Sequence, residues 1–186
     1  MSDVGDLLVA RYDHPTRAYH DVRHLSEVLA GIDLLRPESA DPEVVDLAGW
    51  FHDAVYDLRR SDNEAASADL ARSLLTPYLE PSVVDEVARL VVLTRDHEVT
   101  SGDPNAAVLC DADLAILAGS RDRYDDYAAR NRLEYAHLPD ETFSAGRSAV
   151  LRRLLDRPNL FHTAYGVEHW ERAARANLQR ELTHLG

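Results

Sequence analysis

Apolar residues recur every third or fourth position along most of this chain. From residue 44 it reads Val44, Val45, Leu47, Ala48, Trp50, Phe51, then Ala54 and Val55, apolar on nearly every side. That suits a helix in the middle of a fold. Asp41-Pro42-Glu43 opens it with an acidic cap, proline in the first turn and glutamate behind. A second pattern runs from about residue 63 to 75 and stops before Pro77. A third, Val83, Val84, Val87, Leu90, Val91 and Leu93, follows Pro81. It is the one stretch where a strand competes, and its spacing favours a helix. Residues 106 to 118 are almost wholly apolar and end at Gly119. Helical patterns continue over 124 to 135 and 149 to 155, and the last places Val167, Trp170, Ala174, Leu178 and Leu182 on one face. No hairpin signal, internal repeat or long linker interrupts them. The pattern predicts an all-α chain, one domain over residues 1–186 with roughly eight or nine helices.

Composition narrows this little but excludes much. At 186 residues and 45% hydrophobic, the chain is long enough to bury a core without disulfide or metal staples. No run of about 18 apolar residues is present, and MSDVGDLLVARYD lacks a basic start with an apolar core, so a soluble, cytoplasmic protein with no membrane contact is expected. The single Cys110 agrees with a reducing compartment. A net charge of −13 argues against an extended nucleic-acid surface. All 20 basic residues are arginine, which removes lysine Schiff-base chemistry and lysine-dependent phosphate loops.

Three apolar stretches carry polar residues that need a reason. His52 and Asp53 stand side by side in the helical pattern over 44 to 55. A buried carboxylate costs several kcal/mol unless it is paired or bound to a metal. Neighbours on a helix diverge by about 100° yet can converge on one ion, and imidazole with carboxylate makes half of a metal site. VLCDADLAIL, residues 108 to 117, holds Asp111 and Asp113 on roughly opposite sides, and periodicity does not choose between them. AYHDVRHLSEVL, residues 18 to 29, puts His20 and His24 four apart on one predicted helical face. A core ion pair explains any one of these. Three together point to one shared centre.

This ordered set resembles the HD superfamily of metal-dependent phosphohydrolases, in its branch of small stand-alone bacterial proteins. The likeness runs through RAYHDVRHLSEVL (17–29), AGWFHDAVYD (48–57), DNEAASA (62–68), VLTRDH (92–97), CDADLAILAG (110–119), RLEYAHLPDETFSAGRSAVLRRLLDR (132–157) and ERAARANLQREL (171–182). The resemblance implies an HD-type helical bundle with His24, His52, Asp53 and Asp113 as metal ligands. The Ala-Asp-x-Leu element selects Asp113, leaving Asp111 a supporting role, and His20 becomes a pocket residue.

The resemblance further implies a divalent ion (Mn, Fe, Co, Ni or Mg) and a small phosphorylated substrate, most commonly a nucleotide. Asp53 serves at the metal, while Asp57, taken as one turn along the same helix, and Glu64 are the proton-donor candidates. His97, His20, Arg23 and Arg147 are expected at the substrate; guanidinium forks suit phosphate. His97 is the only histidine between the doublet and Asp113, fewer than a second metal or a di-iron oxygenase would use. A non-catalytic metal- or nucleotide-binding module on the same fold is the competing reading. The amphipathic last helix completes the core in a monomer or forms a homodimer face.

Overall fold

Aspartate and proline punctuate the helices as the sequence requires. Asp21, Asp41 and Asp103 each accept backbone N–H groups of the turn they precede, and Pro42, Pro81 and Pro104 sit in first turns where no N–H is missed. The structure, a computed structural model, describes residues 2–185. Nine α-helices run through the described residues, with no strand among them: α1 (Ser2–Tyr12), α2 (Val22–Leu35), α3 (Pro42–Phe51), α4 (Asn63–Leu75), α5 (Pro81–Leu93), α6 (Pro104–Leu114), α7 (Arg121–Glu134), α8 (Asp140–Leu155) and α9 (Glu171–Leu185). The all-α class is as the periodicity predicts, and the Val-rich stretch is the helix α5. A short 3₁₀ segment, Ala115–Ala118, continues α6, and a π-turn, Gly166–Trp170, leads into α9.

Two apolar clusters hold these helices. The first joins Leu8, Val28, Ile32, Val45, Phe51, Val87, Leu90 and Leu109, all nearly inaccessible. The second gathers Tyr19, Leu117, Tyr124, Leu151, Phe161 and Leu178, and Trp170 packs against both. Two glycines set the spacing of α2. A Cβ on Gly31 would stand 3.1 Å from the Ala112 Cβ, so α2 lies unusually close to α6. A Cβ on Gly49 would stand 2.5 Å from the Ile32 Cδ1, so α3 is drawn onto the same helix. These approaches bring His24 on α2 beside the ends of α3 and α6.

The structure corrects the local setting of four predicted residues. His20 precedes α2 and lies in a turn, not one turn back on a shared helical face. The helix carrying the doublet ends at Phe51, so His52 is its C-cap and Asp53 lies beyond it. The apolar run continues to Val55, but its amides find other partners. Asp53 N donates to the Tyr12 hydroxyl at 3.2 Å, Val55 N to Ser67 Oγ at 3.0 Å and Asp57 N to Asn63 Oδ1 at 3.0 Å. Side chains from α1 and α4 thus replace helical carbonyls as acceptors. Asp57 accordingly stands in a loop rather than one turn along the helix of Asp53. The N-terminal helix α1 is an element the sequence reading does not place.

Candidate metal centre

His24 comes from the first turn of α2, where Asp21 Oδ1 accepts the Arg23 and His24 amides at 2.9 and 3.2 Å. His52 caps α3, Asp53 follows it, and Asp113 sits near the end of α6. Both imidazoles are buried, at 3% and 1% exposure, whereas each carboxylate keeps 15% of its surface open. His24 Nε2 and His52 Nε2 stand 3.1 Å apart. Asp53 Oδ2 lies 3.3 Å from His52 Nε2 and 3.6 Å from His24 Nε2. Asp113 Oδ1 lies 3.2 Å from His24 Nε2 and 3.8 Å from His52 Nε2.

These side chains fit a cation. His52 Nδ1 donates to the Gly49 carbonyl at 2.7 Å, which assigns the proton to Nδ1 and aims the Nε2 lone pair inward. Donors about 2.1 Å from an ion stand roughly 3.0–3.5 Å from their neighbours in octahedral or tetrahedral sites. Three of the contacts given above, at 3.1, 3.2 and 3.3 Å, fall in that range, and the other two, at 3.6 and 3.8 Å, lie just beyond it. His24, His52 and Asp53 therefore form a group that can hold a metal ion, with Asp113 against both of its imidazoles. Without an ion the cluster must hold protons instead. Burial alone would lower the pKa of His52, but the charge of Asp53 and a hydrogen bond to it raise it to about 9. Burial pushes the Asp53 and Asp113 carboxyls up, and the histidines more than reverse this, leaving both below the usual range.

The two aspartates of α6 do different work. Asp111, wholly buried, accepts the His162 amide at 2.9 Å, the Thr163 amide at 2.8 Å and the Thr163 hydroxyl at 2.6 Å. It ties down the segment before α9, and a Cβ on Gly166 would meet its Oδ2 at 2.7 Å. Asp113 Oδ2 instead pairs with His97 Nε2 at 2.8 Å. His97 has a φ of +50°, the one left-handed non-glycine backbone among the described residues. Arg157 holds this turn, donating to the Asp96 carbonyl at 2.6 Å and the His97 carbonyl at 3.3 Å.

Asp53, Asp113, His20, His97, Glu64 and Arg147 all line one cavity of about 530 Å³. Its farther wall is aromatic and apolar, with Tyr127, Phe143 and Val150. Arg147 is 9% exposed; its Nε and Nη2 donate to Glu181, and Nη2 also to the Tyr127 hydroxyl. Arg95 lines the same cavity and is 61% exposed. Arg23 lies outside it, paired with Glu27 and Asp126. Asp57 also faces elsewhere, onto a second cavity, with Arg59 bonded to its carboxylate.

Glu134 is the residue the sequence reading missed. It is 6% exposed, yet its carboxylate accepts four hydrogen bonds. Oε1 takes the Tyr19 and His20 amides at 2.8 and 3.0 Å; Oε2 takes His20 Nδ1 at 2.7 Å and the Tyr56 hydroxyl at 3.0 Å. Burial raises its pKa and the bond from His20 outweighs that, leaving it at about 2. Burial lowers the pKa of His20, and Glu134 more than restores it, to above the ordinary value. The only signal in the sequence is an acid within a helical pattern, which ordinarily means a solvated face. His20 stacks on Tyr56 at 4.2 Å between ring centres, and its Nε2 has no hydrogen-bond partner among the described residues.

No helix among the described residues is long and apolar enough to cross a membrane. Compared with known proteins, the chain matches no protein-family model, no curated protein and no solved structure.

Proposed function

We propose that this protein is a metal-dependent phosphohydrolase of the HD type, acting on a small phosphate ester. The observation that carries this reading is the convergence of His24, His52, Asp53 and Asp113 at the floor of a cavity whose wall also presents His20 and arginine. Two imidazoles and two carboxylates suit a divalent ion of the Mn, Fe, Co, Ni or Mg group. Bound there, such an ion supplies Lewis acidity to a phosphoryl group and a water nucleophile.

The chain's own residues supply the rest. Arg95, on the rim, and the unpartnered Nη1 of Arg147 orient phosphate oxygens. His20 donates its Nε2 proton to the leaving oxygen as the P–O bond breaks, while Glu134 on Nδ1 keeps the ring charged and fixed. This role falls to His20 rather than Asp57, which faces the other cavity. Glu64, at the start of α4 and lining the cavity, is the second proton-donor candidate. The aromatic wall accepts the leaving group, and a nucleoside suits its size and chemistry.

The test is phosphate release from a panel of nucleotides and simple phosphate monoesters with added Mn²⁺, comparing parent and Asp53→Ala. Turnover by the parent and none by the variant is expected. A metal-loaded parent that releases no phosphate from any substrate would leave a binding module instead.

A further inference from the structure

Arg17 is buried, at 8% exposure, and unlike Arg147, which pairs with Glu181, it forms no ion pair among the described residues. Its guanidinium donates only to carbonyl oxygens, those of His20 at 3.0 Å, Asp53 at 2.8 Å and Ala54 at 3.3 Å. The rings of Tyr12 and Tyr56 lie against it, at 4.8 and 5.5 Å from its central carbon. No carboxylate among the described residues comes within ion-pair distance. Carbonyls and rings offset part of the cost of burying a cation, but a buried charge is ordinarily matched by an opposite one.

This guanidinium opens onto the second cavity, about 740 Å³, on the other side of Tyr56 from the candidate metal centre. Arg11 and Arg59 line the same cavity, with His14 and His137 beside them. Arg11 has no carboxylate partner among the described residues. Two acids also line the space, and neither forms an ion pair with Arg17. Glu134 already accepts four hydrogen bonds, and Asp57 is held by Arg59. Three guanidiniums and two carboxylates line the space, a local excess of one positive charge in a chain whose net charge is −13. A monocarboxylate offers two acceptor oxygens to these three guanidiniums, whereas a phosphate monoester offers three and carries close to two charges at neutral pH. The cavity is larger than a phosphate group alone, and Val55, Tyr56 and Leu58 give it an apolar side.

We propose that this cavity is a second ligand site that takes a small phosphorylated organic molecule, its phosphate held by Arg11, Arg17 and Arg59. Binding there needs neither a metal nor turnover, and Arg17 joins the site to the turn that carries Asp53.

Titrating ¹⁵N-labelled protein with inorganic phosphate, while following backbone amides and arginine Nε–H signals, tests the site directly. In the parent, saturable shifts are expected at Arg11, Arg17 and Arg59. The double variant Arg11→Glu, Arg59→Glu should bind at this cavity at least about tenfold more weakly, since each charge-assisted contact is worth about that factor. Both side chains are exposed, so the variant keeps the fold, which the unperturbed amides of the first cluster would verify. Shifts confined to the first cavity, no shifts at all, or shifts that survive the double reversal with unchanged affinity would each overturn the proposal. None of these outcomes touches the hydrolase reading, which the Asp53→Ala comparison decides.

Discussion

His24 Nε2 and His52 Nε2 face each other across 3.1 Å in a nearly inaccessible setting. With His52 Nδ1 committed to the Gly49 carbonyl, two lone pairs would collide unless a proton or a cation stood between them. Asp53 and Asp113 approach the same point from the open side. Because metal and proton compete for one place, the first consequences concern metal content.

Replacing Asp53 by alanine removes one donor of the group and leaves helices α2, α3 and α6 packed as before. Element-resolved analysis of protein purified without chelator is expected to find about one ion per chain in the parent and almost none in Asp53→Ala. Far-ultraviolet dichroism should be unchanged. Equal metal in both proteins would show that Asp53 is not a ligand.

His20→Asn and Glu134→Gln should separate proton donation from metal binding. Each is expected to lower kcat about 10²-fold on a substrate with a poor leaving group while keeping the parent's metal content. The loss should shrink on an activated aryl phosphate, whose leaving oxygen needs no proton. A uniform loss on both substrates would mean that His20 and Glu134 act through structure alone.

The same pair predicts a stability profile. Glu134, depressed from 4.5 to about 2, contributes stability that is fully present above pH 4.5 and is lost as pH falls through about 2. His20, raised above 6.5, contributes stability that is fully present below pH 6.5 and is lost as pH rises through its folded value. The two windows overlap between pH 4.5 and 6.5. Urea unfolding of parent and Glu134→Gln should differ most in that interval and converge toward either side. A gap independent of pH would contradict the ion pair.

Gly49→Val tests the close approach of α2 and α3. Its side chain would enter space held by Ile32, which is wholly buried and has no open side to retreat to. A loss of about 1–3 kcal/mol is expected from overpacking. It should come with reduced metal retention, since His52 lies one turn further on. A variant as stable as the parent would mean that Ile32 repacks freely.

How much of this was legible beforehand depends on the kind of interaction. The helices were readable because apolar period, proline and aspartate caps are local signals, as at Asp41-Pro42 and Asp103-Pro104. The end of α3 was not, because Tyr12 and Ser67, remote in sequence, take over the amides of Asp53 and Val55. The ligand-type residues stood out as polar intrusions in apolar runs. Periodicity left Asp111 and Asp113 equal; their different partners appear only once the segment around Thr163 is folded against α6. Glu134 gave no such contrast. Its importance comes from contacts more than a hundred residues away, with Tyr19 and His20.

The back-to-back aspartates of α6 also decide where this chain can be cut. A version shortened before residue 162 would keep every ligand-type residue of the metal group, all of which lie at or before Asp113. It would nonetheless strip Asp111 of all three donors and of the segment that covers it, two residues from the centre. It would also remove Ala174 and Leu178 from the second cluster and Trp170 from both, and a large apolar side chain contributes about 1.5–3 kcal/mol when buried. The last 25 residues are therefore no trimmable appendage, and a fragment able to assemble the metal group is expected to reach past Gly166.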